Sequence, residues 1–401
     1  MRVLFIHASG HDCVEYNVHR ILAEHADQSK LDCYFIWQDC SKHRPANVAR
    51  QGRNSFWDFG RDLSLLPKPS KCRRALMMLC RLPGSLLFLW RETRHIQPDI
   101  IYTSQQSYEL WLVWLLRRFF PIPHLIHIHY TVGPWLGNIV YRIILRTPHL
   151  LACSGFIRQW TIRAGVPPEH IDTLSNPVDV ERFDVPRDRD AIRAEFDWCP
   201  ETPVVVAAGR LDPSKGHMLL LEAFAKVHRE LPEARLLICG TTTTRNGYDV
   251  LIEQRALELG LGRCVIFAGK RSDLPSVFAG ADVFCLPTEN EPFGLVFVEA
   301  MVAGLPVAAC RSGGVPEIVL DQETGLLSEL GDASNLASNL LRLLRDRELA
   351  MEMGAAGRQR ALTIFAPDIL AAKWTELLFQ RWAAMRKRSG RAMYRGPSRV
   401  N

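Results

Sequence analysis

From Val204 onward the chain alternates between two kinds of segment, and few folds accommodate that. Short apolar runs at Val204–Ala208, Arg235–Cys239, Val265–Ala268 and Asp282–Leu286 are spaced by helical periodicity near His217–Arg229, Asp249–Leu259 and Leu274–Ala279. Strands this short and apolar are buried on both faces, and strands separated by helices at this interval pair in parallel. A doubly wound α/β domain is predicted here. The first half carries the same signals less regularly. Strands are predicted at Met1–Ala8, Leu31–Gln38, Pro98–Thr103 and His124–Tyr130, and an amphipathic helix at Val14–Ala26. Residues 41–70 lack periodicity and read as a long irregular connection.

A length of 401 residues suits two or three domains, each with its own core. The turn Ser175-Asn176-Pro177-Val178-Asp179 marks the end of the first. The expected divisions are 1–184, 185–366, a helix over 367–385, and a basic, disordered tail over 386–401. The net charge of +6 is unevenly spread. Residues 1–184 hold 22 Lys and Arg against 16 Asp and Glu, residues 185–384 hold 21 against 27, and 385–401 hold six basic residues and no acid. A basic front half suits an anionic acceptor or an anionic membrane surface. No nucleic-acid-binding motif accompanies it, so nucleic acid is not expected as a partner. Lys71–His95 and Trp111–Phe120 mix Leu, Trp and Phe with Arg. They read either as core helices, interrupted by Pro83-Gly84, or as an interfacial surface touching the inner face of a membrane. No run of about 20 apolar residues predicts a spanning helix, and the N-terminal MRVLFIHASG reads as a buried strand, not a signal peptide. Eleven scattered cysteines without a Cys-x-x-Cys pair fit reduced thiols in a cytoplasmic protein.

Charged chemistry gathers beyond the strand ends. After Ala281–Pro287 an acidic loop leads into an apolar helix that opens at Phe293-Gly294 and stops near Gly304, with Pro306 just beyond. Glu291 lies in the loop and Glu299 about two turns later, with seven residues between them. In open α/β sheets ligands collect outside the carboxyl ends of strands, where helix N-termini favour anions. A carboxylate there does not ligate phosphate; it accepts hydrogen bonds from hydroxyls of a sugar or ribose. The same spacing also describes a solvated acidic loop and a Glu at the rim of a buried helix. Gly209-Arg210-Leu211-Asp212-Pro213-Ser214-Lys215-Gly216 follows the first strand of the second domain. It has neither P-loop nor Gly-x-Gly-x-x-Gly spacing, but it sets two cations where a diphosphate would sit. Gly313 and Gly314 let a ligand approach the main chain. In the first half, Ser9-Gly10-His11-Asp12 forms a turn between strand and helix, and His124, His127 and His129 share one strand. His127 and His129 point the same way, as a metal pair would, but no third ligand of fitting character follows nearby, and no metal is expected. Asp188-Arg189-Asp190 reads as a charged helix start.

Glu291, Phe293, Gly294 and Glu299 together resemble the Glu-x-Phe-Gly-(four residues)-Glu pattern of the family 4 glycosyltransferases, which have the GT-B architecture. Gly209–Gly216 resembles the family's Gly-Arg-Leu-x-x-x-Lys-Gly, and Gly313–Glu317 its Gly-Gly-x-x-Glu. Ser175–Asp179 resembles its Asn-Gly-Val-Asp, with Pro177 in place of Gly, and Thr324–Leu327 its closing turn. The resemblance implies an α/β fold of two facing Rossmann-like doubly wound domains. It implies a retaining, metal-independent glycosyltransferase that takes a nucleotide-sugar as co-substrate, with no further cofactor, and a glycan or lipid-linked acceptor. Arg210 and Lys215 would bind the donor diphosphate, Glu291 would stand by the donor sugar, and His129 near the reacting centre. Donor contacts are implied for Gly10, Gly209, Phe293, Gly294, Leu295, Gly313 and Gly314, for Glu299 on the ribose, and for Lys270 in the segment against the nucleobase. The family often has a double Gly where this chain has only Gly10. The likeness covers the second half in order and is thin over residues 10–120, where the acceptor is expected. The rivals are a nucleotide-sugar epimerase of the same architecture and a catalytically inactive nucleotide-sugar-binding module.

Overall fold

The computed structural model describes residues 1–8, 14–39, 53–59, 71–185, 189–242 and 247–389, without the side chains of 71–78 and 386–389. The chain forms two compact units. One comprises Met1–Cys153, Ile157–Leu174 and the chain from Asp368 onward; the other comprises Ser154–Phe156 and Ser175–Pro367. The division falls after Leu174, earlier than the expected 184. The segment after it is tied to the second unit: Val178 N–H donates to the Phe365 carbonyl at 3.2 Å, and the Phe183 ring lies 5.9 Å from that of Phe278.

The first unit holds seven parallel strands: β1 (Arg2–His7), β2 (Asp32–Gln38), β3 (Arg53–Trp57), β4 (Ile100–Ser104), β5 (His124–Ile128), β6 (Leu150–Ala152) and β7 (Ile171–Thr173). Their order is β3-β2-β1-β4-β5-β6-β7. Helix α1 (Val14–Glu24) buries Tyr16, Val18, His19, Ile21 and Leu22 on one face. The irregular connection expected over 41–70 is corrected in part, because β3 forms an edge strand within it. Its residues are only half-buried, so no clean apolar pattern marks it. Partners supplied by the fold hold it: Trp37 Nε1 donates to Asn54 Oδ1 at 2.7 Å, and the Trp57 ring stacks on Phe88 at 4.8 Å. Helix α2 (Lys71–Ile96) runs unbroken through Pro83, where an interruption was expected. Pro83 cannot donate to the carbonyl four residues back, but that residue, Leu79, is exposed and water can take the bond. Helix α3 (Ser107–Leu116) and α2 feed Leu89, Ile96, Leu112, Val113 and Leu116 into one apolar core with Leu4, Ile6 and Ile101. The C-terminal helix Pro367–Ser389 contributes the fully buried Trp374 to the first unit, against the rings of Phe5 and Tyr102.

The second unit holds six parallel strands: β8 (Val204–Ala208), β9 (Arg235–Cys239), β10 (Val265–Gly269), β11 (Val283–Leu286), β12 (Val307–Cys310) and β13 (Gly325–Ser328). Their order is β10-β9-β8-β11-β12-β13. Of Thr324–Leu327, expected as the closing turn, Thr324 is in the turn and Gly325–Leu327 open strand β13, which pairs with β12 through all four of its residues. Both units are thus doubly wound Rossmann-like sheets. In each, strand order reverses once, between β1 and β4 and between β8 and β11. Crevices at such reversals are where open α/β sheets bind ligands. No described helix is long and apolar enough to cross a membrane.

Candidate active site

The loops that follow β8 and β11 leave the second sheet on either side of its reversal, and main-chain hydrogen bonds join them. Asp212 caps a short turn, Pro213–Lys215, by accepting from Ser214 N–H at 3.0 Å and Ser214 Oγ at 2.6 Å. Those bonds, with the charges of Arg210 and Lys215 adding, hold its carboxyl below the usual range. The Ser214 carbonyl then accepts from Glu289 N–H at 2.7 Å. Gly216 turns the chain into helix His217–Glu230 with φ of 72°. A Cβ there would lie 2.0 Å from the Pro287 carbonyl oxygen, so only glycine lets the two loops approach this closely.

This scaffold brings Lys215 and Glu291 together. Lys215 Nζ donates to Glu291 Oε2 at 2.6 Å, with side-chain exposures of 16% and 8%. The Thr288 hydroxyl lies 3.0 Å from both Glu291 Oε2 and the Ser214 carbonyl and donates its one proton to either. Thr288 escaped the sequence reading, although a polar residue directly after the apolar run of β11 was a signal for it. The loop after β12 closes the third side. Gly314 N–H donates to the Glu291 carbonyl at 2.7 Å. A Cβ on Gly313, whose φ is 59°, would meet the Glu291 backbone at 2.3 Å. Arg210 is exposed beside this cluster. Gly209 N–H donates to the Cys239 carbonyl at 3.0 Å, and exposed Lys270 stands directly after β10.

Gly294 opens helix Leu295–Val302 in the left-handed region, with φ of 98°. Phe293 is 4% exposed and packs edge-on against Phe365 at 5.8 Å, so its contribution to any ligand is main chain. Leu295 and Glu299 keep partial exposure. Loss of water around the Glu299 carboxyl pushes it up to about 7, with Arg182 opposing and Asp179 reinforcing the rise. Of the first-unit expectations, Gly10 lies outside the described residues. His129 stands just past β5, nearly buried, with its main-chain N–H on Gln105 Oε1 at 2.8 Å. Its ring faces His19 Nε2 at 3.5 Å, and burial, then His127, hold it well below the usual histidine range.

An exposed cation, a buried Lys–Glu pair and a glycine-lined main chain at one sheet edge suit a polyhydroxylated diphosphate. Residues 188–360 match the family described as glycosyl transferases group 1, and residues 20–182 match glycosyltransferase family 4. The D-inositol 3-phosphate glycosyltransferase of Corynebacterium glutamicum (strain R) is 33% identical over 308 residues, covering 70% of this chain and 71% of that protein. The GDP-mannose-dependent alpha-(1-6)-phosphatidylinositol monomannoside mannosyltransferase of Mycolicibacterium smegmatis is 34% identical over 237 residues, 57% of this chain. The chain spans 61% of that protein's length. Among solved structures, Anabaena Alr3699/HepE in complex with UDP and glucose aligns with a TM-score of 0.78 at 21% identity, over 95% of this chain and 100% of that one.

Proposed function

The chain belongs to glycosyltransferase family 4, the group 1 glycosyl transferases, and from that premise we propose that it moves a sugar from a nucleoside-diphosphate donor to a glycan or lipid-linked acceptor, with retention at the anomeric carbon. The observation that supports this best is the Lys215–Glu291 pair held at the reversal of the second sheet. In this reading the diphosphate lies against Arg210, Lys215 and the amides around Gly313-Gly314. As the anomeric C–O bond breaks, the electron pair goes to the leaving diphosphate oxygen, and the two cations stabilise that charge. They supply the positive charge a Mg²⁺ ion would bring, so transfer does not need added Mg²⁺. Departure runs ahead of attack; the acceptor hydroxyl adds from the same face and passes its proton to a diphosphate oxygen. Glu291 orients sugar hydroxyls and Glu299 the ribose. Inversion would need a general base set against the acceptor. His129, nearly buried and held well below its ordinary basicity, is poorly suited to that role.

A thermal-shift panel tests the donor reading. GDP-mannose, which the mannosyltransferase relative uses, and UDP-sugars, after the UDP-bound neighbour, are the first candidates. A donor at 100 times its Kd adds about 2.7 kcal/mol to stability. With acceptor present, the nucleoside diphosphate is released, and NMR of the first product from an α-linked donor shows an α linkage. A β-linked product overturns retention. An isomerised nucleotide-sugar makes the protein an epimerase, and donor binding without turnover makes it a binding module.

A further inference from the structure

The first unit buries a group of histidines that the donor loops do not use. His127 and His129, two residues apart at the end of β5, project to the same face of the sheet. Helix α1 lays His19 over that face, and His7 ends β1 beside it. His7, His19 and His127 are fully buried and His129 nearly so. No spacing in the sequence joins residue 19 to 127 and 129; only the packing of α1 on the sheet supplies the third member. One nitrogen from each of His19, His127 and His129 lies within 4.8 Å of the others.

The hydrogen bonds sort the nitrogens into two sets. His19 Nδ1 is 2.9 Å from His7 Nε2, and His127 Nδ1 is 3.0 Å from the Tyr102 hydroxyl. Both bonds engage Nδ1 and leave Nε2 as the other ring nitrogen. His127 Nε2 is buried with no hydrogen-bond partner, an arrangement that is rare and costly in a folded interior. His19 Nε2 and His129 Nε2 face each other at 3.5 Å. Two imidazole nitrogens on a tetrahedral ion with bonds of about 2.0–2.1 Å would stand about 3.3–3.4 Å apart.

We infer that His19, His127 and His129 bind a borderline transition-metal dication, Zn²⁺ foremost, through their three Nε2 atoms. Metal on the Nε2 atoms requires His7 to accept from His19 Nδ1–H and the Tyr102 oxygen from His127 Nδ1–H, directions that the contacts at 2.9 Å and 3.0 Å allow and that would fix tautomer and ring orientation. An all-nitrogen donor set selects against Mg²⁺ and Ca²⁺, which take oxygen ligands. Three protein ligands leave a fourth position for water or a small anion. By hydrogen-bond geometry His127 Nε2 has no partner, although the Leu174 carbonyl lies near the ring. These histidines belong to the first unit, and a metal there does not depend on the glycosyltransferase reading.

The test uses the untagged full chain, stripped with EDTA and dialysed. Co²⁺ titration should give one equivalent per chain with the strong visible d–d absorption of a tetrahedral ion. Zn²⁺ should abolish that absorption stoichiometrically, and Zn K-edge absorption should report three imidazole ligands. His19→Gln and His127→Gln should each weaken Co²⁺ binding at least tenfold. His124→Gln, on the same strand but bonded to Thr103 Oγ1 at 2.9 Å, should leave it unchanged. Weak octahedral Co²⁺ absorption in the wild type overturns the proposal, as does unchanged binding in the His19 and His127 variants. Either result makes the cluster stacked core histidines only. Should those variants fail to fold, the wild-type spectrum and the imidazole count decide alone.

Discussion

Arg210 and Lys215 share a loop but not an environment, and their substitutions should differ accordingly. Arg210 is exposed, so Arg210→Ala removes a cation from the leaving group without disturbing the fold. A charge-assisted hydrogen bond contributes roughly 1.5–3 kcal/mol. Steady-state kinetics should therefore show kcat/KM down at least tenfold with Tm unchanged; near-wild-type kinetics would remove Arg210 from the site. Lys215→Ala should match that loss and also lower stability, because it leaves the buried Glu291 carboxylate with only the Thr288 hydroxyl. Glu299 predicts a pH effect of definite sign. Its folded value of about 7 lies above the ordinary 4.5, so between those limits the folded state binds more protons than the unfolded one. Stability from this group therefore falls as pH rises through that window. Glu299→Gln should flatten the slope of unfolding free energy measured from pH 5 to 8. An unchanged slope would place the effect elsewhere. Donor affinity should run the opposite way, tightening toward pH 8 as the carboxylate forms to accept ribose hydroxyls. Glu291, Glu299, Arg210 and Lys215 were legible because their spacing is local. Thr288 and His19 were not, since each gains its meaning from a partner on another element.

Three loops carry the candidate site, and their fit is set by main chain more than by side chains. Gly313→Ala puts a Cβ 2.3 Å from the Glu291 carbonyl oxygen and 2.5 Å from its nitrogen, at a φ of 59° that L side chains rarely adopt. The loop after β12 must then move off residues 290–292 and take the Gly314 N–H to Glu291 O bond with it. The expected cost is about 1–3 kcal/mol in chemical denaturation, with transfer lost in proportion to the misplacement of Glu291. Wild-type denaturation and kinetics in this variant would show that the loop adapts freely. The strands behind these loops were legible because each is a continuous apolar run buried on both faces. β3 was hidden by its edge position, where half-buried residues such as Asn54 and Ser55 satisfy the ladder without an apolar signature. Pro83 misled in the other direction. Pro83 costs the helix one internal bond, and the residue whose carbonyl it frees, Leu79, is exposed to water.

At the scale of the whole chain the charge is divided: residues 1–184 hold 22 basic against 16 acidic residues, and residues 185–384 hold 21 against 27. The two aromatic, Arg-rich stretches belong to that basic part, and packing has separated their members. Leu89, Leu112, Val113 and Leu116 are core, and Leu82, Leu86, Phe88, Trp90 and Phe120 pack partly buried against it. Phe119 is left 69% exposed, close after α3, and Trp114 is half-exposed with the Arg118 guanidinium 4.8 Å above its ring. An exposed aromatic beside arginine is the pairing that suits a headgroup layer, the apolar ring entering and the cation meeting lipid phosphate. A lipid-linked acceptor would make such contact useful. The protein should therefore float with vesicles containing anionic lipid at low salt and be released as salt rises, since exposed charges are screened over about 8 Å at physiological ionic strength. Phe119→Ser should weaken the association roughly tenfold, because burying a Phe side chain contributes about 1.5–3 kcal/mol. Its exposure means the same change leaves Tm in place. The two measurements together separate a docking residue from a core one: lost flotation with intact stability supports contact with the membrane. Protein that stays with the soluble fraction at low salt assigns both stretches to the core, leaving the basic half to bind an anionic acceptor directly.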